Sequence, residues 1–270
     1  STMRPEIWLV VALAGPNWAD SSATRQAPSY TAASVVNAAS NQANAYAANT
    51  FVSIYGVNLA YTTRGLTAGD ISGNTLPTIL PGTGVRVWVK NIPAQMYYVS
   101  PTQINVLLPT NIGTGSTELR VQVDSTYGPP IPITLATVAP ALFQLDAQTV
   151  IGTKANGALL TKDAPGNAGD WVILYATGLG PTTPKPGYGE IPTTAAPLSD
   201  MASFGVLVDG VKVDPKRIGY AGVAPGFAGL YQINCQLPDS IGTDPEIQVT
   251  AGGVTSPKGV RLPVRGAGAS

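Results

Sequence analysis

The chain has 270 residues, among them 15 Lys or Arg, 15 Asp or Glu, one Cys and no His, and its formal net charge is zero. The lack of histidine removes the commonest zinc ligand and general base, and with them the Ser-His-Asp and Cys-His catalytic arrangements. A neutral chain without a Lys or Arg cluster also lacks the charge that binds a phosphate backbone or an anionic lipid surface, so we predict no nucleic-acid partner.

The remaining composition indicates the fold class. The length predicts two domains, at roughly 100 to 200 residues each. The chain contains 30 Gly and 24 Pro, spread along its length, together with 44% apolar residues. Gly and Pro are poor helix formers, whereas this apolar fraction supplies enough surface to bury in a core. We therefore predict an all-β protein of many short strands joined by tight turns.

Residues 1–23 have the pattern of a secretory signal or leader. A start Met and a positive charge, Met3-Arg4, precede about nine apolar residues beginning at Ile7, and small residues follow. The apolar stretch is too short for a bilayer span, which needs about 20 residues, so we expect no stable membrane insertion after leader cleavage. The pattern predicts a secreted or cell-envelope location. The alternative is an edge strand or docking segment that the folded protein retains.

The single cysteine agrees with export, because a secreted chain with one Cys forms no internal disulfide. Cys235 lies in the apolar run YQINCQLP, where we interpret it as a small buried hydrophobe rather than a nucleophile. Upstream of the first strand, residues 24–49 are rich in Ala, Ser, Asn and Thr. We interpret them as a linker or as a lead-in that lies along the first domain.

An internal repeat organises the rest of the chain. FVSIYGVNLA at 51–60 aligns with WVILYATGLG at 171–180, and QINVLLPTNIGT at 103–114 aligns with QINCQLPDSIGT at 232–243. The second pair of segments is identical at eight of its twelve positions. Between these segments both copies alternate apolar and polar residues around a two-residue turn, which predicts a β-hairpin in each. The two turns are Lys90-Asn91 and Asp209-Gly210.

Each copy therefore contains six or seven predicted strands, with turn signals about every 8 to 12 residues, as in an immunoglobulin-like sandwich. We predict two tandem immunoglobulin-like β-sandwiches. The predicted limits are 50–140 for domain 1, 141–168 for a structured connection with a hairpin near Lys154, and 169–266 for domain 2. The second copy has seven additional residues, within the loop AGVAPGFAG at 221–229.

Motifs in the two copies also resemble a known family. In chain order they are SIYGVNL, YYVSPTQINVLLP, VAPALF, ATGLGP, YAGVAPGFAGLYQIN and LPDSIG. Over about residues 50–264 the chain resembles a largely uncharacterised C-terminal region of secreted acidobacterial proteins, related to IPT/TIG immunoglobulin-like domains. The resemblance implies an extracytoplasmic tandem pair of such domains and lends no catalytic residue.

The acidic residues do not indicate an enzyme. A glycosidase needs two carboxyl groups facing each other across a cleft. Asp209 lies in a hairpin turn, Asp170 precedes a strand, and Glu118 and Glu246 begin equivalent strands, so turn and strand-edge roles explain them. The chain has no nucleotide-binding, nucleophile-elbow, paired-cysteine or EF-hand motif, so we predict no cofactor, no metal site and no catalytic residue.

Two polar pairs recur in the repeat, Gln103 with Asn105 and Gln232 with Asn234. Strand alternation places both amides of a pair on one face, where they are able to meet a ligand. Because the pair is present in both copies, we interpret these amides as structural groups that tie the preceding loop to the sheet.

Aromatic residues form the other candidate set, since ring faces stack on sugars and nearby amides bind sugar hydroxyls. The tentative ligand-binding residues are Trp88, Tyr97, Tyr98, Tyr220, Phe227 and Tyr231. Packing in the core or at the end of the sandwich is the alternative for Phe227 and Tyr231.

We therefore predict a non-catalytic, secreted or cell-surface binding or adhesion module. Its predicted partner is a polysaccharide or an extracellular protein, recognised through these aromatics and the 221–229 loop. One alternative is a structural spacer or assembly module that pairs through sheet edges. A second alternative, a histidine-free extracellular glycan hydrolase, is disfavoured by the positions of the carboxylates.

Overall fold

A computed structural model describes residues 26–267, so the predicted leader at 1–23 lies outside the described residues. Within that range the chain is all-β, as predicted, and forms two compact units. The first unit contains residues 26–137 together with 186–191, and the second contains 138–185 together with 192–267. Each unit is a β-sandwich with its own apolar core.

The first sandwich has two facing sheets. Its strands are β1 (Val35–Asn37), β2 (Tyr46–Ala47), β3 (Phe51–Tyr55), β4 (Arg64–Gly65), β5 (Val85–Val89), β6 (Ile92–Pro93), β7 (Gln95–Val99), β8 (Gln103–Leu107), β9 (Gly115–Val123), β10 (Thr126–Tyr127) and β11 (Ile131–Ala136). Short 3₁₀ helices lie at Ala32–Ser34 and Ala68–Asp70. One sheet has the order β1-β3-β8-β7-β4, and the other has the order β2-β11-β9-β5-β6 with β10 beside β9.

Strand alternation determines which face of the second of these sheets is buried. In β5 every second residue is buried, namely Val85, Val87 and Val89, while Arg86 and Trp88 point to the other face. The buried side chains of both sheets fill one core, in which about 25 cal/mol is gained per Å² of apolar surface removed from water. The outer face of β5 and β9 is consequently available to solvent.

The second sandwich is built from shorter pieces. Its strands are β12 (Ala141–Leu142), β13 (Gly152–Lys154), β14 (Gly166–Asn167), β15 (Trp171–Thr177), β16 (Ala196–Pro197), β17 (Gly205–Val208), β18 (Val211–Lys212), β19 (Ile218–Val223), β20 (Tyr231–Gln236), β21 (Ile247–Ala251), β22 (Val254–Thr255) and β23 (Val264–Arg265). Short 3₁₀ helices lie at Met201–Ser203 and Pro215–Arg217. The main sheet has the order β12-β15-β20-β19-β16, with β13 beside β15, and faces the sheet β18-β17-β21-β22.

The predicted hairpin turns are present. Lys90 and Asn91, with φ of 52° and 62°, connect β5 to β6, and Asp209 and Gly210, with φ of 48° and 79°, connect β17 to β18. Positive φ at both central residues is the turn geometry whose twist matches paired antiparallel strands. The hairpin expected near Lys154 is also present, because Gly157 N donates to Lys154 O and Lys154 N donates to Ala158 O.

Residues 26–49 lie along the first sandwich. Strand β1 pairs with β3, and β2 pairs with β11 in parallel. Tyr30 is buried, its hydroxyl donates to Pro129 O at 2.6 Å, and the same oxygen accepts from Val121 N at 2.7 Å. This single side chain therefore connects the lead-in to β9 and to the segment after β10.

Residues 186–191 lie with the first sandwich although they follow β15 in the chain. Leu76 N donates to Gly189 O at 2.9 Å, and Ile191 N donates to Asn74 O at 2.8 Å. A Cβ added at Gly189 would lie 2.8 Å from Nε2 of the buried Gln95, so the backbone approaches that side chain closely. This short segment, which we call the 186–191 excursion, completes the first unit.

Cys235 is buried in β20, and burial raises the pKa of its thiol to about 11. Because the thiolate is the reacting species, we expect almost no reaction of the native protein with a disulfide reagent at about pH 8. Unfolding in urea should release one reactive thiol per chain, measured by the absorbance of the released aryl thiolate. Rapid labelling of the native chain would contradict this expectation and show that β20 opens readily.

Candidate functional site

The outer face of the β5–β9 sheet carries the most concentrated group of candidate binding side chains. Trp88 on β5 and Arg120 on β9 are direct cross-strand neighbours. Strand β10 pairs with the other edge of β9, where Tyr127 is opposite Gln122. Directly opposite residues have Cβ atoms about 5 Å apart and point to one face. Arg120 therefore lies between two aromatic residues contributed by different strands.

Two hydrogen bonds and one cation–π contact hold these three side chains in place. Trp88 Nε1 donates to Gln122 Oε1 at 2.8 Å, and Arg120 Nε donates to Gly128 O at 2.8 Å. The guanidinium carbon of Arg120 lies 4.7 Å from the centre of the Tyr127 ring, in a cation–π contact. The terminal nitrogens of Arg120 make no hydrogen bond to any described residue, so they are available to a ligand.

These residues enclose a surface depression of about 480 Å³. It is lined by Trp88, Lys90, Asn91, Thr117, Glu118, Arg120 and Tyr127, a set that we call the Trp88 face. The lining combines two rings with an amide, a hydroxyl and charges of both signs. Of these lining residues only Glu118 carries a carboxylate, whereas a glycosidase pair requires two. The arrangement can bind a ligand that has both an apolar surface and many polar groups.

The structure places the other predicted aromatics of the first repeat in a different environment. Tyr97 is half-buried and packs edge-on against Phe51, with ring centres 4.7 Å apart and planes at 78°. Burial raises the pKa of the Tyr97 phenol. Tyr98 is half-buried opposite Asn105. Neither lies among the residues that line the Trp88 face.

The predicted aromatics of the second repeat are largely engaged inside their own unit. Tyr231 is buried, its hydroxyl donates to Gly180 O at 2.6 Å, and burial raises the pKa of its phenol. The Tyr220 hydroxyl donates to Val223 O at 2.6 Å. Phe227 is half-buried, and the loop around it is closed by a 2.9 Å bond from Ala224 N to Leu230 O. Tyr231 thus packs in the core, which is the alternative stated for it above, whereas Phe227 is half-buried in its loop.

The repeated amides bond to each other rather than to the preceding loop. Gln103 Nε2 donates to Asn105 Oδ1 at 3.0 Å, and Gln232 Nε2 donates to Asn234 Oδ1 at 2.9 Å. The first pair is buried, and Ser53 Oγ also donates to Asn105 Oδ1 there. The second pair is half-exposed. The same motif thus has two different environments.

Sequence reasoning identified Trp88 but not its partners Arg120 and Tyr127. The alternation in ELRVQVD at 118–124 does place Arg120 on the same face of β9 as Glu118. The cross-strand register that brings Arg120 beside Trp88 is a tertiary feature.

Comparisons with known proteins add likenesses of shape only. Neither a protein-family model nor a curated protein matches the chain. Among solved structures, the Bacteroides ovatus mixed-linkage glucan utilization locus protein SGBP-B, in complex with a mixed-linkage heptasaccharide, matches 82% of this chain and 44% of its own, at 9% identity and a TM-score of 0.33.

Two further likenesses are weaker still by TM-score. The surface glycan-binding protein PbSGBP-B from Prevotella bryantii matches at 11% identity and a TM-score of 0.26, over 86% of this chain and 41% of its own. Domains 5–6 of the S-layer protein SbsC match at 12% identity and a TM-score of 0.27, over 89% of this chain and 99% of theirs. The chain thus spans less than half the length of either glycan-binding structure. At these TM-scores the likenesses carry no functional conclusion.

Between residues 26 and 267 no helix has the length and apolarity needed to cross a membrane. The same residues contain no cluster of three or more Cys, Asp or Glu side chains suited to hold a metal ion.

Proposed function

We propose that this chain is a secreted or cell-surface, non-catalytic module that binds polysaccharide through the Trp88 face. The observation that carries the proposal is the placement of Trp88 and Tyr127 on either side of Arg120, whose terminal nitrogens have no hydrogen-bond partner among the described residues. Aromatic faces pack on the C–H side of a pyranose, and guanidinium N–H groups bind its hydroxyls. The leader pattern and the resemblance to secreted immunoglobulin-like regions support an extracytoplasmic location.

The size and polarity of the depression support a saccharide ligand. Its volume of about 480 Å³ lies within the usual range of roughly 300–1,000 Å³ for small-ligand sites. Glu118 supplies an acceptor, Asn91 both donor and acceptor groups, and Lys90 a donor. A hydroxyl-rich ligand satisfies such mixed groups on binding, whereas an apolar partner surface would leave them desolvated.

The test is binding to a panel of soluble hexasaccharides (cellohexaose, mannohexaose, xylohexaose and hexagalacturonate), followed by titration calorimetry with those that bind. Trp88→Ala and Tyr127→Ala are each expected to weaken binding about tenfold, the loss expected for an aromatic stacking contact. The matched control is Tyr61→Ala, because Tyr61 is 48% exposed and Tyr127 is 46% exposed in the same unit.

Equal losses for Tyr61→Ala and Tyr127→Ala would contradict the assignment of this face, as would full binding by the Trp88 variant. Failure of every saccharide to bind would reject polysaccharide as the partner and favour an extracellular protein. The bound hexasaccharide should keep its length, since a non-catalytic module releases no new reducing ends.

A further inference from the structure

The second unit has an exposed aromatic residue on the outer face of its main sheet. Trp171, the first residue of β15, is 46% exposed and lies opposite Gln236 of β20. Gln232, Asn234 and Gln236 occupy alternate positions of β20, so they share a face and are about 7 Å apart along the strand. We call Trp171 and these three amides the Trp171 face.

A comparison of the two repeats explains why this ring is exposed. Tyr98 is opposite Asn105 in the first unit, and Tyr220 is opposite Asn234 in the second. The residue before each tyrosine is an extra, unpaired residue where the strand register shifts. Tyr97 of the first unit and Gly219 of the second therefore hold the same place in their sheets. The aligned segments likewise pair Phe51 with Trp171.

This exchange of Tyr for Gly determines how the neighbouring ring is covered. In the first unit Tyr97 packs against Phe51, which is only 4% exposed. In the second unit a Cβ added at Gly219 would lie 3.2 Å from Cζ3 of Trp171, so the indole is next to the place where a side chain at 219 would begin. The second unit has one ring fewer at this place, and one surface of Trp171 stays in contact with water.

The amides beside Trp171 have unused hydrogen-bonding capacity. Gln232 Nε2 donates to Asn234 Oδ1, and Gln236 Nε2 donates to Gly169 O at 3.1 Å. The side-chain nitrogen of Asn234 and the side-chain oxygens of Gln232 and Gln236 make no hydrogen bond to any described residue. Gln236 is opposite Trp171 and Asn234 is the next residue on the same face, whereas Gln232 is about 14 Å along the strand from Gln236. One donor group and one acceptor thus remain next to the aromatic surface, which is the combination that a hydroxyl-bearing ring can satisfy.

We infer that the Trp171 face is a second saccharide-binding site, in which a pyranose ring stacks on Trp171 and its hydroxyls bond to the amides of β20. The inference rests on the proposed function, because it assigns the same ligand class to a second place. An apolar protein side chain stacked on Trp171 would remove water from the neighbouring Asn234 and Gln236 amides without replacing their hydrogen bonds, which disfavours it.

The test is the stoichiometry of hexasaccharide binding to the full chain, by titration calorimetry with the panel named above. We expect two sites in the wild type. Trp171→Ala should weaken one of them and Trp88→Ala the other, each by about tenfold. Gly219→Tyr restores the residue type of the first unit and should also weaken the Trp171 site. The φ of Gly219 lies outside the left-handed range, so the backbone accepts a side chain, and the indole of Trp171, 3.2 Å from the added Cβ, has to shift by a few tenths of an ångström. Val254→Ala, an exposed change on the opposite sheet, is the control.

The outcomes separate the two proposals. Binding that is unchanged in Trp171→Ala or in Gly219→Tyr overturns the second site and leaves the Trp88 face unaffected. One site that only Trp171→Ala weakens supports the inference and overturns the Trp88 face. No binding of any hexasaccharide to the wild type overturns both. Circular dichroism confirms that each variant is folded.

Discussion

Replacement of Gly178 by alanine is expected to lower the free energy of unfolding by about 3 kcal/mol or more. Gly178 has φ of +71°, and a Cβ there would lie 2.1 Å from the carbonyl oxygen of Ala139. The left-handed backbone costs an alanine about 1–2 kcal/mol, and the overlap adds about 1–3 kcal/mol. Because Ala139 N donates to Gly178 O at 2.9 Å, relief of the overlap would separate two hydrogen-bonded segments beside the β12–β15 pairing.

Gly253→Ala is the matched control for this change. Gly253 lies in the same unit with φ of +80°, and a Cβ there would meet no atom within 4 Å. It should therefore lose only the backbone contribution of about 1–2 kcal/mol. Urea unfolding followed by circular dichroism measures both changes. Equal losses for the two variants would show that the contact with Ala139 contributes nothing.

Tyr30→Ala is expected to lower the free energy of unfolding of the first sandwich by about 4 kcal/mol. The ring is 5% exposed in the core, and its hydroxyl joins Pro129 O to Val121 N. Truncation leaves a cavity and a buried backbone N–H without its acceptor, and the second effect alone costs about 1–3 kcal/mol. The loss should appear in urea unfolding followed by tyrosine fluorescence.

Tyr30→Phe separates the two contributions, because it keeps the ring and removes only the hydroxyl. It should lose about 1–3 kcal/mol. Val57→Ala, at a position of the same unit that is 55% exposed, should change stability by less than about 0.5 kcal/mol. If Tyr30→Ala were as mild as Val57→Ala, the lead-in would contribute little to the first sandwich.

The parts of the fold that depend on local sequence were predictable. Lys90-Asn91 and Asp209-Gly210 form the hairpin turns because their residue types accept positive φ, and the flanking alternation sets the pairing. The all-β class followed from the composition of the whole chain. Each hairpin is encoded within about ten residues, so tertiary context does not override it.

The candidate sites required information that alternation alone does not carry. Alternation separates the two faces of a strand but does not state which face another segment covers. Asn105 and Asn234 share one motif, yet the first is buried and the second half-exposed. At the neighbouring position, Tyr97 covers the ring of Phe51 in the first unit, whereas Gly219 leaves the corresponding ring of Trp171 exposed in the second.

The 186–191 excursion limits how this pair of sandwiches can be divided or exchanged. A fragment that stops at residue 137 lacks the backbone that bonds to Asn74 and Leu76, while a fragment that starts at residue 138 carries that segment without the residues it bonds to. No single cut in the polypeptide yields both sandwiches complete. Gene fusion or recombination within the connecting region would therefore damage one sandwich, and the two are expected to be inherited together as one module.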